Sequence, residues 1–184
     1  DPNRWEAVVS ESVDKALNQI RRGAAKQNFE DFADEFQPYW NRQKQIINGV
    51  QSLVAPTDEP KLIQAFVKGT EYVYVCDREA ALVDYRSERP VKHLTQRNAL
   101  YVPLPIGTVI VPPHPDRSWT SEEAIRTIFD CLDASTVEEI GKLTRKLTKY
   151  EELVVFHLPR TGGDGGTLFG LNYKGLQGMH PLAG

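Results

Sequence analysis

The spacing of apolar residues changes once along the chain, and this change limits the folds that the chain can adopt. Upstream, apolar residues recur every three or four positions, which is the period of an amphipathic helix. The first such stripe consists of Val9, Val13, Ala16, Leu17 and Ile20. After the loop APTDEP (55–60), short β-branched and aromatic runs alternate with turn residues, as in strands. We predict a helical segment over residues 1–54 and an α+β domain over residues 55–184.

The helical segment is predicted to contain three helices in succession. The first ends near Gly23, because Arg21 and Arg22 supply cations for a helix C-terminus. Asn28 is an N-cap residue and begins the second helix. The apolar face of this second helix consists of Phe29, Phe32, Ala33 and Phe36. The third helix is predicted from the spacing of Trp40, Gln43, Ile46, Ile47, Val50 and Leu53.

Strand-like runs make up most of the α+β domain. They are KLIQAFVKG (61–69), EYVYVCD (71–77), AALVDYR (80–86), NALYVPLP (98–105), GTVIVPP (107–113), ELVVFHL (152–158) and TLFGLNY (167–173). The prolines of 98–105 and 107–113 favour sheet edges for these two runs, since proline lacks the N–H that a central strand needs. An edge here would offer a surface for partner contacts, or its prolines would serve only to block aggregation.

Two helices are predicted between the strand-like run at 107–113 and the one at 152–158. Thr120 and Glu123 have the spacing of a capping box, and so do Ser135 and Glu138. The second of these helices has an apolar face formed by Val137, Ile140, Leu143 and Leu147. The order is helices, strands, two helices and strands, which predicts an α+β fold with a mixed or antiparallel sheet.

Composition excludes several classes of partner. The chain has 184 residues, a formal net charge of -3 and a pI near 5.8, so we expect no nucleic-acid partner. No apolar run approaches the roughly 18 residues of a membrane span, so no membrane partner is expected either. Two cysteines indicate no disulfide framework and favour a cytoplasmic setting. Because the only methionine is Met179, we interpret the chain as part of a longer protein.

The glycine-rich stretch RTGGDGG (160–166) is the motif that most resembles a phosphate-binding loop. It lacks the lysine of a P-loop and the third glycine of a dinucleotide-binding fingerprint, and a strand pattern rather than a helix follows it. A hairpin connection is therefore the favoured interpretation. The alternative is a contact with an anion or a partner, formed by Arg160, Gly162, Gly163, Gly165 and Gly166.

The remaining reactive side chains give weak signals. Cys76 is a low-ranking candidate thiol, because the neighbouring Asp77 opposes thiolate formation. Cys131 is interpreted as a small buried hydrophobe. His157, within an apolar strand, is interpreted as a core or edge histidine whose hydrogen bonds are satisfied. The histidines lack zinc-ligand spacing, so we predict no metal site, and no residue is assigned a catalytic role.

Two stretches resemble a known family. The opening DPNRWEAVVSESVDKALNQIRRGAAKQNFEDFADEFQPYW resembles the segment after the catalytic cysteine in bacterial ubiquitin-conjugating-like domains. The tail VVFHLPRTGGDGGTLFGLNYKG, followed by HPL, is similar to the strand–loop–strand before the adenylation domain of ThiF-type ubiquitin-activating fusions. The resemblance covers residues 1–40 and 150–184. It rests on the order and spacing of residue types rather than on catalytic motifs.

The resemblance implies a linker between two catalytic units. In such fusions the thioester cysteine precedes the segment that begins at Asp1, and the nucleotide loop follows the segment that ends at Gly184, so no family catalytic residue maps onto this chain. ATP and Mg²⁺ are implied for an adjoining adenylation domain and no cofactor for this chain. Implied partners are the adjoining adenylation and conjugating-like domains and a ubiquitin-like or other modified protein, with a homodimer as a further expectation. Many such systems are associated with antiphage defence.

Three functions are therefore expected, in descending order. The first is a non-catalytic scaffold or linker within a bacterial ubiquitin-like conjugation enzyme. The second is a small free-standing enzyme that binds a nucleotide or phosphate through the 160–166 loop. The third is a protein-interaction adaptor.

Overall fold

A computed structural model describes residues 3–25, 40, 50–77, 93–110, 118–147, 152–159 and 166–173. The helices in these ranges are α1 (Asn3–Ala24), α2 (Ser121–Phe129) and α3 (Ala134–Thr144). The strands are β1 (Gln51–Leu53), β2 (Lys61–Lys68), β3 (Glu71–Cys76), β4 (Thr95–Pro103), β5 (Leu153–Pro159) and β6 (Gly166–Asn172). The chain is therefore α+β, as predicted.

The strands form one mixed sheet with the order β1-β3-β2-β4-β5-β6. The pairs β1/β3 and β4/β5 are parallel, while β2/β3, β2/β4 and β5/β6 are antiparallel. The parallel pair β4/β5 needs a long crossover, and α2 and α3 lie within that crossover. This topology places β3, β2, β4 and β5 in the interior of the sheet, with β1 and β6 at its edges.

The central position of β4 corrects the edge placement predicted from its prolines. Pro103 is the last residue of β4, where a missing N–H interrupts no further ladder bond, and the next N–H, from Leu104, donates to the His157 carbonyl at 2.9 Å. The predicted strand at 107–113 is also wrong over residues 107–110. There Gly107 adopts a left-handed φ of 82°, and the Thr108 N–H donates to the Pro105 carbonyl in a turn.

The larger core lies where α2 and α3 pack on one face of the sheet. Aromatic contacts occupy its centre: the ring centroids of Phe156 and Phe169 are 5.5 Å apart, and Trp40 packs edge-on against Phe169 at 4.7 Å. The buried aliphatic residues of this core include Leu100, Val102, Ile125, Ile128, Ile140, Leu147, Val154 and Leu171. The apolar face predicted for the helix that is now α3 packs on this core, which confirms that prediction. Its residues are Val137, Ile140, Leu143 and Leu147.

Both α2 and α3 begin with a side-chain cap, but only one cap was predicted correctly. Thr120 and Glu123 form the predicted capping box of α2, with both reciprocal hydrogen bonds present. At α3 the N-cap is Asp133, whose carboxylate accepts from the Thr136 N–H at 2.8 Å. Ser135 instead donates to Asp133, so the box predicted from Ser135 and Glu138 is wrong. These bonds lower the pKa of Asp133 to about 2.

The N-terminal predictions have mixed outcomes. The first helix is confirmed as α1, which ends at Ala24, one residue after the predicted stop. The helical pattern that was extended through Leu53 is wrong at its end, because Gln51–Leu53 pairs with β3 as a strand. The predicted second helix and the predicted strand at 80–86 lie outside the described residues. The division into domains 1–54 and 55–184 stays a prediction.

Candidate functional site

The first candidate site is the apolar stripe of α1, which we define as Trp5, Val8, Val9, Val13, Leu17 and Ile20. All six side chains are exposed, from 43% for Leu17 to 67% for Ile20. None of the α1 residues whose burial is described is buried. The stripe is therefore a continuous apolar surface that runs along a 22-residue helix.

Such a stripe needs a partner for physical reasons. Most of the stability of a protein helix comes from packing its apolar face rather than from intrinsic propensity. Contiguous exposed apolar patches on folded proteins mark interaction surfaces. The i,i+4 ion pair between Lys15 and Glu11, 2.6 Å apart, supports the helix only weakly because both groups are exposed. The stripe is accordingly the strongest docking surface in the described part of the chain.

The second candidate site is a polar cluster at one end of the sheet, which we define as Lys61, Asp77, Tyr101 and His157. Lys61 Nζ lies 3.1 Å from Asp77 Oδ1, donates to the Ala55 carbonyl at 2.9 Å and sits 5.0 Å from the centre of the Tyr101 ring. The Tyr101 and His157 rings are stacked with centroids 6.4 Å apart. The cluster joins β2, β4 and β5 to the loop before β2.

Tyr101 anchors that loop. Its hydroxyl accepts from the Thr57 N–H at 3.1 Å and donates to the Thr57 carbonyl at 3.2 Å. Burial raises the pKa of Tyr101, with the hydrogen bond from the Thr57 backbone acting in the opposite direction. Asp77 fixes the same loop, since its Oδ2 accepts from the Ala55 N–H at 2.9 Å. The contacts of this cluster are thus mainly structural.

His157 is buried, as predicted, with 9% of its surface exposed. Its Nε2 has no hydrogen-bond partner among the described residues, which corrects the expectation that its hydrogen bonds are satisfied. Burial lowers the pKa of His157, and the negative charge of Asp58 opposes this shift. Burial therefore favours the neutral form of the imidazole in the fold.

The glycine stretch is divided between the described and undescribed parts of the chain. β5 and β6 pair antiparallel up to Pro159 and Gly166, which confirms the strand predicted after the stretch. A Cβ at Gly166 would lie 2.5 Å from the Leu158 carbonyl oxygen and closer still to the His157 imidazole. Gly166 therefore allows close packing within the hairpin. Arg160, Gly162, Gly163 and Gly165 lie outside the described residues, so the anion site stays a prediction.

Neither of the two cysteines, Cys76 and Cys131, forms a disulfide. Cys76 is completely buried at the end of β3, where a substrate has no access to its sulfur. Cys131 is half-buried, and its thiol donates to the Thr127 carbonyl at 3.4 Å. Burial, followed by the charge of Asp130, raises the pKa of Cys131 and favours the unreactive thiol.

A metal centre and a membrane-spanning helix are both absent from the described ranges. No group of three or more His, Cys, Asp or Glu side chains in these ranges is arranged to hold a metal ion. Nor does any helix in these ranges have the length and apolar character to cross a bilayer.

Sequence reasoning missed three members of the polar cluster, namely Lys61, Asp77 and Tyr101. They are spread over 41 positions, and the register of the sheet brings Lys61 directly opposite Tyr101. The only local signal was a lysine immediately after the loop proline Pro60, at the start of a strand. The stripe of α1 was recognised as amphipathic, but its exposure was not predicted.

Comparisons with protein-family models, curated proteins and solved structures find no match to this chain.

Proposed function

We propose that this chain is a non-catalytic scaffold domain that holds other proteins together within a bacterial ubiquitin-like conjugation enzyme. The observation that carries the proposal is the exposed apolar stripe of α1 in a chain that also has a well-packed six-stranded sheet. A packed sheet gives a scaffold its rigidity, and an exposed stripe gives it a surface for protein contact. The polar cluster supports the same role, because Asp77 and Tyr101 hold the loop before β2 in place and so add to the rigidity of the domain.

The assignment to ubiquitin-like conjugation rests on the resemblance of residues 1–40 and 150–184. The β5–β6 hairpin is consistent with the strand–loop–strand that this family has before its adenylation domain. Under this proposal the partners are adenylation and conjugating-like domains and a ubiquitin-like or other modified protein. ATP and Mg²⁺ belong to the adenylation domain, and the setting is the cytoplasm, where cysteines without a disulfide, such as Cys76 and Cys131, stay reduced. A role in antiphage defence is part of the same proposal.

The first experiment tests whether the chain is non-catalytic. The purified chain is assayed for ATP–pyrophosphate exchange and for a thioester with candidate ubiquitin-like proteins. We expect neither activity. A thioester that is lost in Cys76→Ser or Cys131→Ser, or exchange above the buffer control, would overturn the proposal.

The second experiment tests the scaffold role directly. ThiF-type adenylation and conjugating-like domains encoded in the same genome are purified and titrated with the full chain by calorimetry. We expect saturable binding of at least one of them. If neither domain binds at micromolar concentrations, the assignment to this conjugation system is wrong.

A further inference from the structure

We propose that the apolar stripe of α1 packs antiparallel against the same stripe of a second copy of this chain. The proposal rests on the proposed function only in taking the stripe as a protein-docking surface. A self-complementary patch related by a two-fold axis is the commonest way in which soluble proteins form dimers. The distribution of charge along α1 makes this stripe self-complementary in one orientation.

Charge is separated along the helix. The first half, residues 3–14, contains Arg4, Glu6, Glu11 and Asp14, so that one positive and three negative charges give a net charge of -2. The second half, residues 15–24, contains Lys15, Arg21 and Arg22, which give a net charge of +3. Antiparallel packing places each acidic half beside a basic half, whereas parallel packing places like charges together.

Two of these charges border the stripe on the same side. Glu6 precedes Leu17 by eleven residues, about three helical turns, and Arg21 follows Leu17 by four, so both lie along the edge of the helix that Leu17 marks. Both side chains are exposed. With the two-fold axis near Val13, position 6 of one copy lies opposite positions 20 and 21 of the other. Glu6 then pairs with Arg21 of the second copy, and symmetry repeats this pair at the other end.

The same arrangement brings the apolar residues together. Val13 lies against its own equivalent at the axis, and Val9 lies against Leu17 of the second copy. A helix of 22 residues is about 33 Å long, so two such stripes bury on the order of 1,000 Å² in total. This area is at the low end for specific interfaces and is typical of weak, transient association.

A lipid surface is a less suitable occupant. Helices that lie on membranes carry lysine and arginine across the polar face. The polar side of α1 instead mixes the cations of Arg4, Lys15 and Arg22 with the carboxylates of Glu11 and Asp14, so it lacks the uniform positive charge that attracts anionic headgroups. The observations therefore favour a second copy of the chain over a bilayer.

The test uses charge reversal and its rescue in the full chain, with sedimentation velocity across the micromolar range. Arg21→Glu and Glu6→Arg each place like charges at both ends of the dimer, and each is expected to raise the dimer dissociation constant at least about tenfold. In an equimolar mixture, one chain of the mixed dimer carries arginine at both positions and the other carries glutamate at both. Opposite charges therefore face each other again at both ends. We expect the mixture to associate more tightly than either variant alone.

Lys15→Glu is the matched control, because it makes the same change in charge as Arg21→Glu at the other edge of the stripe, seven residues after Val8, where Lys15 pairs with Glu11 of its own helix. It is expected to leave dimerisation within about threefold of the parent. Val13→Asp, at the axis, is expected to abolish the dimer. Circular dichroism of each variant verifies that α1 stays helical.

Three outcomes would overturn the proposal: a monomer at all concentrations, equal weakening by Lys15→Glu and Arg21→Glu, or a mixture no stronger than its components. Co-sedimentation of the chain with phosphatidylglycerol vesicles, lost in Val13→Asp without any dimer in solution, would assign the stripe to membranes. The scaffold role is measured separately by calorimetry with the adjoining domains. A monomer that still binds those domains refutes the dimer and leaves the proposed function intact.

Discussion

Helix α1 and strand β5 are both rich in apolar residues, yet the fold uses them in opposite ways. Every residue of β5 from Leu153 to Leu158 is buried, because β4 and β6 flank it and side chains cover both of its faces. In α1 the large apolar residues all remain exposed. The comparison shows that apolar content alone does not produce burial. A segment is buried only where topology supplies neighbours, and no described element covers the apolar stripe of α1.

The largest expected effect comes from removing one large apolar side chain from each of the two regions. Phe156→Ala leaves a cavity in the fully buried core and is expected to lower the free energy of unfolding by about 3–5 kcal/mol. Leu17→Ala, in the exposed stripe, is expected to change it by less than about 0.5 kcal/mol in dilute, monomeric protein. Urea unfolding followed by circular dichroism measures both. Losses of equal size would mean that α1 is packed within the monomer.

The next test concerns the hairpin beside β5. Gly166→Ala places a methyl group 2.5 Å from the Leu158 carbonyl oxygen, and we expect a loss of about 1–3 kcal/mol. Gly170→Ala is the matched control in the same strand. Its new methyl group meets the Leu153 Cδ1 atom at 3.3 Å, and a side-chain end can move aside. Urea unfolding that ranks Gly170→Ala as the more destabilising change would contradict this account of the hairpin.

A smaller effect separates the two helix caps. Thr120→Ala removes the capping box of α2 and is expected to lower stability by about 1 kcal/mol. Ser135→Ala leaves the Asp133 cap of α3 in place and is expected to lower stability by less than about 0.5 kcal/mol. Thermal melts of the two variants measure the difference. A larger loss for Ser135→Ala would restore the capping box that the sequence suggested.

The smallest effect is a dependence on pH. Because burial lowers the pKa of His157 in the fold, the unfolded chain takes up a proton first, near pH 6.5. The contribution of His157 is therefore fully present above that pH and is lost as pH falls from about 6.5 towards the lower pKa of the folded state. Chemical unfolding at a series of pH values is expected to show a shallower slope in this window for His157→Gln. If the free energy of unfolding of His157→Gln varied with pH as steeply as that of the parent, groups other than His157 would set this pH dependence.

Local signals in the sequence predicted local structure well. The capping box at Thr120, the period of α1 and the β-branched and aromatic runs of β2 and β3 are determined by neighbours within a few residues, and all were confirmed. The Asp133 cap was missed because aspartate and serine both make caps, and spacing alone favoured Ser135. Such errors shift a helix start by a residue or two without changing the fold.

Features that depend on distant partners were not predictable in the same way. Gln51–Leu53 followed a helical pattern but pairs with β3, since strand pairing outweighs weak local preference. β4 was placed at an edge because the alignment of Pro103 with the end of the β4/β5 ladder depends on register. The polar cluster likewise exists only because Lys61 and Tyr101 are opposed across β2 and β4. The exposure of the α1 stripe depends on what packs against it, which spacing does not contain.

The parallel pairing of β4 with β5 also has a consequence for folding during synthesis, because β4 leaves the ribosome well before its partner strand. β5 begins 50 residues after β4 ends, so at typical elongation rates roughly 3–10 s pass between the emergence of the two strands. During that interval β2 and β3 can already hold one side of β4, while its other side, with Leu100 and Val102, has no strand beside it. A nascent chain of this protein is thus most exposed to misassembly just before β5 emerges, and a chaperone that binds apolar strands would act in that interval.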